Sequence, residues 1–162
     1  NVDVRKDGLT TPRKGPAGWR RSIYLQQQRK IVVTHLEAFD FPAMNPNCSE
    51  RFTSTVATQA LYLWNNGMVQ ELAERFADRI SHTVGGKRED QVELAHQIAF
   101  GRSARYDEIA AGVDELSQLV EAWQTREVDA NEIESSDADA DARALGTWCH
   151  AILNSAEFLY VD

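Results

Sequence analysis

Large apolar residues recur at steps of three or four between Leu61 and Ile80, and this period constrains the fold more than any other feature of the chain. The row consists of Leu61, Trp64, Met68, Leu72, Phe76 and Ile80, with Val69 and Ala73 on the same face. A period of this kind over about five turns is that of an amphipathic α-helix buried along one side. We therefore predict one continuous helix here.

Three further segments have helical patterns. The first contains Leu94, Ala95, Ile98 and Ala99 and closes at Gly101, a candidate C-cap. The second starts at Ser103, a candidate N-cap, with acidic residues in its first turn, and its apolar face is Tyr106, Ile109, Val113, Leu116, Val120 and Trp123. The last has the face Leu145, Trp148, Cys149, Ile152 and Leu153.

These patterns predict a mainly α fold, a small bundle of about four helices with an extended, irregular N-terminal segment packed on it. Residues 1–18, with turn signals such as Asp7-Gly8 and Gly15-Pro16, are interpreted as a flexible linker or arm. Residues 19–162 then form a single helical domain. Partial alternation over residues 22–33 predicts short extended segments, and prolines and asparagines over residues 41–47 predict a turn-rich loop.

Charge is distributed unevenly along the chain. The net charge is −8, but positions 1–80 hold 11 basic and 8 acidic residues, whereas positions 81–162 hold 6 and 17. This balance argues against nucleic acid as a partner, because phosphates need a basic face. Seven of the acids lie between Thr125 and Asp141, which predicts a solvated excursion, although the alternating Asp and Ala at 137–142 are also compatible with the start of the last helix. No run approaches the roughly 20 apolar residues of a membrane span.

Motifs that carry chemistry are absent or incomplete. His35-Leu36-Glu37 resembles the start of the zinc deaminase motif, but the P-C-x-x-C part does not follow, so we predict no metal site. Cys149-His150 lacks the first cysteine of a c-type haem attachment motif. No nucleophile elbow or phosphate-binding glycine loop is present. The residues themselves therefore predict no reaction, and whether the chain is an enzyme stays open.

The two cysteines, Cys48 and Cys149, allow two interpretations. Cys149 falls on the apolar face of its helix, where a buried thiol is the common case. If the protein is exported, Cys48 and Cys149 could instead form a disulfide, because oxidising compartments permit one.

Two stretches carry a family resemblance. They contain Arg20-Arg21, Phe39-Asp40-Phe41-Pro42, Cys48 with Arg51, Ser54-Thr55 with Gln59-Ala60-Leu61, and the closing Leu153-Asn154-Ser155 with Glu157-Phe158-Leu159-Tyr160. In these motifs the chain, from about Trp19 to Asp162, resembles the planctomycete-specific domain that closes many large planctomycete proteins. It differs at Ala156, where an amide is common, and at Ser103-Ala104, where the family helix usually starts with a proline.

The resemblance implies an exported or cell-envelope protein of several domains and no established reaction. It places this chain in the C-terminal half of a longer family domain. A cytochrome c type module often accompanies that domain, so haem would belong to another module and no cofactor to this chain.

The candidate binding residues are Arg20, Arg21, Glu37, Asp40, Arg51 and Gln59. One of the two adjacent arginines is expected to form a structural ion pair with Glu37, Asp40 or Glu157. The alternative is that it binds an acidic glycan or a partner domain.

Two functions follow as hypotheses. The first is a non-catalytic interaction or scaffold domain that binds other domains of its parent protein or an envelope complex. The second is one wall of a polysaccharide-acting enzyme site, hydrolytic or redox-coupled.

The apolar C-terminal residues Phe158, Leu159 and Tyr160 are expected to dock against residues 58–80 or the N-terminal segment.

Overall fold

The computed structural model describes residues 2–4, 10–12, 39, 57–129 and 137–160, with side chains at 39, 59–125 and 139–160. Two short strands lie in this part of the chain, β1 (Val2–Val4) and β2 (Thr10–Pro12). The helices described there are α1 (Ala57–Asn65), α2 (Gly67–Val84), α3 (Arg88–Phe100), α4 (Tyr106–Asp129), α5 (Asp137–Leu153) and α6 (Ala156–Leu159). The predicted mainly α fold is confirmed.

The chain divides into two compact units, Asn1–Tyr62 and Leu63–Asp162. In the first unit, β1 and β2 pair antiparallel, with Asp3 opposite Thr11. Phe39 and Tyr62 meet edge to face, with ring centroids 6.4 Å apart. The extended segments predicted at 22–33 and the loop at 41–47 lie outside the described residues, and the domain boundary at residue 18 stays a prediction.

A helix break at Asn66 corrects the prediction of one continuous helix. Asn66 has an extended backbone (φ −80°, ψ 118°), and its Oδ1 accepts a hydrogen bond from the backbone N of Met68 at 2.9 Å. An asparagine in this position satisfies one of the free N–H groups at a helix start. One helix therefore ends at Asn65 and a new one begins at Gly67, although the apolar period continues across the break.

The buried face of α2 is narrower than its sequence predicts. Val69, Ala73, Ala77 and Ile80 are buried, whereas the larger Leu72 is 42% exposed. Leu61, Trp64 and Met68, predicted as core, are exposed as well. Small side chains face the core because α5 packs against this side of α2, and two helices approach each other more closely over small residues than over large ones.

The four long helices form the predicted bundle within the second unit. Helix α2 contacts α3 and α5, α4 contacts the same two helices, and α3 and α5 also contact each other. Their inner faces share one core, made of Ala73, Ala77, Ile80, Val92, Ala95, Leu116, Leu145, Trp148, Cys149 and Ile152. The face predicted for the last helix is therefore confirmed as its buried side.

Helix α4 packs tightly against α3 and α5 at Gly112. A Cβ at this position would come within 2.9 Å of the Val92 side chain and 3.1 Å of the Trp148 ring. The indole Nε1 of Trp148 also donates a hydrogen bond to Glu115 Oε2 at 3.0 Å. A glycine is therefore required by packing, and the Trp148 ring has a fixed position.

Of the two helix caps predicted around the α3–α4 loop, one is confirmed and one is wrong. Gly101 is the C-cap of α3 in the left-handed conformation (φ 69°), as predicted. Ser103 does not cap the next helix, because α4 begins at Tyr106 and the backbone N of Arg105 donates to Glu108 Oε2 at 2.7 Å. The cap is therefore supplied by a carboxylate from the first turn of α4.

Helix α5 begins at Asp137, so the alternating Asp and Ala form its first turns and not an excursion. Ala140 and Ala144 are fully buried there. The C-terminal residues do not show the docking predicted against residues 58–80: α6 contacts α3 and α5, and Phe158, Leu159 and Tyr160 are 36–49% exposed. The alternative docking, against the N-terminal segment, involves residues outside the described part of the chain. Hydrogen bonds from Arg102 to Glu157 hold this segment in place.

Candidate binding site

The most densely bonded polar cluster surrounds Arg102, in the loop after α3. Its Nη1 and Nη2 donate to Glu108 Oε2 and Oε1, both at 2.8 Å, and its Nε and Nη2 donate to Glu157 Oε1 and Oε2 at 2.7 and 3.0 Å. Hydrogen bonds from Arg102 lower the pKa of Glu108 to about 2 and lower that of Glu157. The guanidinium is fully engaged, so this cluster ties α6 to the start of α4 and is not a binding site.

A small cavity of about 240 Å³ lies between the end of α2, the starts of α3 and α5, and the middle of α4. Its polar groups are also paired: Arg88 donates to Ser117 Oγ at 2.6 Å and to Asp141 Oδ1 at 3.2 Å. Gln91 Nε2 donates to the carbonyl of Gly85 at 2.7 Å. These bonds connect the helix ends and leave little for a ligand.

A larger groove of about 660 Å³ runs between α2 and α5. Small residues of the two helices alternate along it, with Ala73 and Ala77 from α2 and Ala142 and Gly146 from α5. A Cβ at Gly146 would lie 4.0 Å from Glu74 Cγ, an ordinary contact distance, so a larger side chain there would project toward Glu74. The remaining lining residues are Gln70, Glu74, Asp78, Trp123, Arg143, Thr147 and His150.

The α2 side of this groove carries two carboxylates one helical turn apart, Glu74 and Asp78. Both side chains are exposed. Among the described residues, neither carboxylate has a hydrogen bond or an ion pair, in contrast to Glu71 on the outer side of α2, which pairs with Arg75 at 2.9 Å. Two acceptors on the groove wall thus have no hydrogen-bond partner in the part of the chain that the structure describes.

The opposite side of the groove is held by internal bonds. Trp123 Nε1 donates to Thr147 Oγ1 at 3.2 Å, and that hydroxyl donates to the carbonyl of Arg143 at 2.8 Å. The Arg143 guanidinium carbon lies 5.8 Å from the centre of the Trp123 ring. These contacts fix the wall and already use the Thr147 hydroxyl and one face of the indole.

His150 on α5 is the most unusual residue of the groove. It is only 9% exposed, and its Nε2 is buried without any hydrogen-bond partner. The ring of Trp64, half exposed, covers it at a centroid distance of 4.9 Å and an angle of 41°. A buried polar atom without a partner destabilises a fold by about 1–3 kcal/mol, so native structures retain few of them.

These side chains do not form a metal site. Among the described residues, no group of three His, Cys, Asp or Glu is close enough to hold an ion. In the same part of the chain, no helix has both the length and the apolar character that crossing a bilayer requires.

Most residues predicted as a site from the sequence cannot be placed. Arg20, Arg21, Glu37, Asp40 and Arg51 lie outside the described residues, and Gln59 is buried on α1 in the first unit. Whether they share a pocket stays a prediction. Glu157, one of the three acids predicted to pair with Arg20 or Arg21, is bound by Arg102.

Of the two cysteines, only Cys149 is described. It carries a free thiol with no exposed surface, and this burial raises its pKa to about 12. Cys48 lies outside the described residues, so their pairing stays a prediction.

Comparison with known proteins gives a family. The model of the PSD1 family, described as a protein of unknown function (DUF1553), matches residues 4–116, which is more than half of the chain. The chain belongs to the DUF1553 family. No curated protein and no solved structure matches it. The match to DUF1553 ends at Leu116, in the middle of α4, so α5 and its part of the groove lie beyond it.

The groove of this DUF1553 chain was not predicted from the sequence, in which Ala73, Trp123 and His150 were named for other reasons. One pattern does indicate it. On both helices, polar residues at steps of three and four flank small ones, as in Gln70, Ala73, Glu74, Ala77 and Asp78, and again in Ala142, Arg143, Gly146, Thr147 and His150. Small residues beside polar ones are typical of a helix pair that packs closely below an open polar groove.

Proposed function

We propose that this DUF1553 chain is a non-catalytic interaction domain whose binding surface is the groove between α2 and α5. The observation that carries the proposal is His150, a buried imidazole on the groove wall whose Nε2 has no partner. The half-exposed Trp64 ring covers this imidazole, so a ligand that displaces the ring and bonds to Nε2 would remove the energetic penalty of leaving the nitrogen unpaired. The same surface carries two carboxylates that have no partner among the described residues, and its opposite wall is fixed by Trp123.

The wider setting of the domain rests on the resemblance of its motifs. Arg20-Arg21, Phe39-Asp40-Phe41-Pro42 and the closing Leu153-Asn154-Ser155 support an origin in an exported or cell-envelope planctomycete protein of several domains. In that setting the chain is the C-terminal half of the family domain, haem belongs to a separate cytochrome c type module, and the partners are other domains of the parent protein or an envelope complex.

The alternative function is one wall of a polysaccharide-acting enzyme site. It depends on Arg20, Glu37, Asp40 and Arg51, none of which is described. It stays a prediction from the sequence, and the assay below tests it along with the interaction role.

Arrays of glycans and of peptides, probed with the purified 162-residue chain, test the proposal. The matched variants are Gly146→Leu and Gly67→Leu. Gly146→Leu places a side chain in the groove, while Gly67→Leu makes the same change at the start of α2, where nothing lies within 4 Å of the new Cβ. Leucine is a better helix former than glycine, so neither change weakens its helix.

We expect saturable binding that Gly146→Leu abolishes and Gly67→Leu preserves. Binding that survives Gly146→Leu would place the interaction elsewhere and overturn the proposed groove. Failure to bind any glycan or peptide would contradict both the interaction role and the polysaccharide alternative.

A further inference from the structure

The Trp64 side chain covers His150 but has few contacts of its own. Its ring centroid lies 4.9 Å from that of the imidazole, and its indole forms no hydrogen bond with a described residue. Trp64 is 52% exposed, so a large part of the ring is in contact with water. Within the described part of the chain, the imidazole is the one aromatic ring placed against it.

The backbone at Trp64 also permits movement of this side chain. Helix α1 ends one residue later, at Asn65, and Asn66 caps the separate helix α2 through its hydrogen bond from the backbone N of Met68. Residues in the last turn of a helix lack some of the helical hydrogen bonds, and such ends open at little cost in free energy. Trp64 can therefore leave His150 without breaking the hydrogen bonds of α2.

His150, in contrast, is held in place. It lies in the last turns of α5, directly after Trp148 and Cys149, which are both part of the bundle core. Its carbonyl accepts a hydrogen bond from Asn154 Nδ2 at 2.7 Å. Of the two rings in contact, Trp64 is therefore the one that can move.

Movement of the Trp64 ring changes two opposing contributions to the free energy. The closed position keeps the contact between the two rings but leaves the His150 Nε2 buried without a partner. An open position loses the ring contact and lets water reach the nitrogen. Both contributions are modest and of similar size, so we expect an open state to be populated beside the closed one.

We propose that the Trp64 ring is a lid that opens without a ligand, and that ligands of the groove bind to the open state. This inference rests on the proposed function, since it describes how access to the same groove is controlled. His150 lines the groove between α2 and α5, and the closed ring keeps a ligand from its Nε2. A ligand that needs the open state binds with an apparent affinity reduced by the fraction of molecules that are open.

Acylation by diethyl pyrocarbonate measures opening without any ligand, because this reagent modifies unprotonated imidazole nitrogens that solvent can reach. The full 162-residue chain is treated at neutral pH, and modification of each histidine is followed by peptide mass spectrometry. His82 is exposed and His96 is buried, so they are the internal references. His150 should react more slowly than His82 and faster than His96. A rate equal to that of either reference would overturn the lid, as a site always open or never open.

Urea separates opening of the lid from unfolding of the bundle. Movement of one ring exposes little surface, so the rate at His150 should stay constant below the unfolding transition. The rate at His96 should rise with urea, because its exposure requires the core to open. A parallel rise at both histidines would show that His150 reacts only through unfolding and would overturn the lid.

Trp64→Ala removes the lid, Trp64→Phe keeps an aromatic ring there, and Tyr106→Ala removes an exposed ring outside the groove as the control. Minor states are commonly populated at about 0.1–10%, so Trp64→Ala should raise the rate at His150 roughly tenfold or more. Trp64→Phe should raise it much less and Tyr106→Ala not at all, with His96 unchanged in all three. An unchanged rate at His150 in Trp64→Ala would overturn the proposal.

The glycan and peptide arrays separate this inference from the proposed function. On the spots that the wild type binds, Trp64→Ala should bind more tightly, because no molecules are closed. Loss of binding in Trp64→Ala would show that the ring contacts the ligand and is not a lid, while the groove itself would stand. Absence of binding by both proteins would contradict the proposed function alone, since the acylation rates still decide whether Trp64 opens.

Discussion

Arg102 holds Glu157, 55 positions further along the chain, through two parallel hydrogen bonds of 2.7 and 3.0 Å. The same guanidinium holds Glu108 through a second pair. Paired bonds of this kind fix both the distance and the plane of the groups. One side chain outside α6 therefore helps to fix the position of this helix, beside its contacts with α3 and α5.

Replacing this side chain, in Arg102→Gln, should lower the melting temperature at neutral pH. The pKa of Glu108 falls from its usual 4.5 to about 2 because Arg102 stabilises the charged form, so this stabilisation is present above pH 4.5 and is lost as the pH falls toward 2. The difference in melting temperature between wild type and Arg102→Gln should shrink across that window. Thermal unfolding at several pH values measures it.

Lys87→Gln is the control for Arg102→Gln, since Lys87 forms an exposed pair with Asp90 at 3.3 Å. Exposed pairs contribute little to stability. If Lys87→Gln lowered the melting temperature as much as Arg102→Gln, the role of the cluster would be contradicted. The same holds if the effect of Arg102→Gln did not depend on pH in the acid range.

Gly112→Ala should destabilise the protein by about 1–3 kcal/mol, partly offset by the better helix propensity of alanine. The new methyl group would lie 2.9 Å from Val92 and 3.1 Å from Trp148, both of which are buried. Gly67→Ala makes the same change in open space and should be neutral or stabilising. Urea unfolding compares the two, and an equal effect would show that α4 can move away from its neighbours.

Gly85→Ala and Gly86→Ala test two adjacent positions after α2. Gly85 has a φ of 75° with ψ −153°, a conformation that residues with a Cβ rarely adopt, whereas Gly86 has no positive φ and no neighbour within 4 Å. Gly85→Ala should lose about 1–3 kcal/mol of unfolding free energy, and Gly86→Ala should lose nothing. Equal losses in urea unfolding would show that the turn relaxes at no cost.

The buried thiol of Cys149 should resist labelling until the bundle opens. Burial raises its pKa from 9.0 to about 12, so a maleimide at pH 8 meets almost no thiolate in the folded protein. Because the folded pKa is raised, the contribution of the neutral thiol to stability is complete below pH 9 and is lost as the pH rises toward 12. Labelling in a Cys48→Ser background checks this, and fast labelling without denaturant would contradict it.

A disulfide between Cys48 and Cys149 remains a separate prediction for the oxidised protein. Intact mass spectrometry without reductant would show a mass about 2 Da below that of the dithiol, because two protons and two electrons leave on oxidation. Two maleimide labels per chain after unfolding without reductant would rule it out.

The helices that bury a regular apolar face were predictable from the sequence. The α5 face around Trp148 and Cys149 and the end of α3 at Gly101 are examples, because helical period and glycine capping are local properties. The start of α5 at Asp137 was one of the two interpretations that the alternating Asp and Ala residues allowed.

Two errors have physical causes that the local pattern does not show. The break at Asn66 leaves the apolar period unchanged, so only the cap geometry reveals it. Which side of α2 is buried depends on α5, whose close approach selects Ala73 and Ala77 over the larger Leu72.

The groove was hidden for a similar reason. Its two walls are far apart in the sequence, at Glu74 and His150, and the unpaired state of the His150 Nε2 depends on everything packed around it. The site predicted around Arg20 and Arg51 remains untested.

Helix α5 fills the space between α2 and α4, and this decides where the protein can be cut for expression. A fragment trimmed to the part that matches the family, ending at Leu116, would lose Leu145, Trp148 and Ile152 together. It would also leave Ile80, Val92 and half of α4 facing water, an apolar patch of the kind that makes proteins aggregate. Fragments of relatives that are chosen for expression should therefore extend through the equivalent of α5, even where that stretch does not match the family.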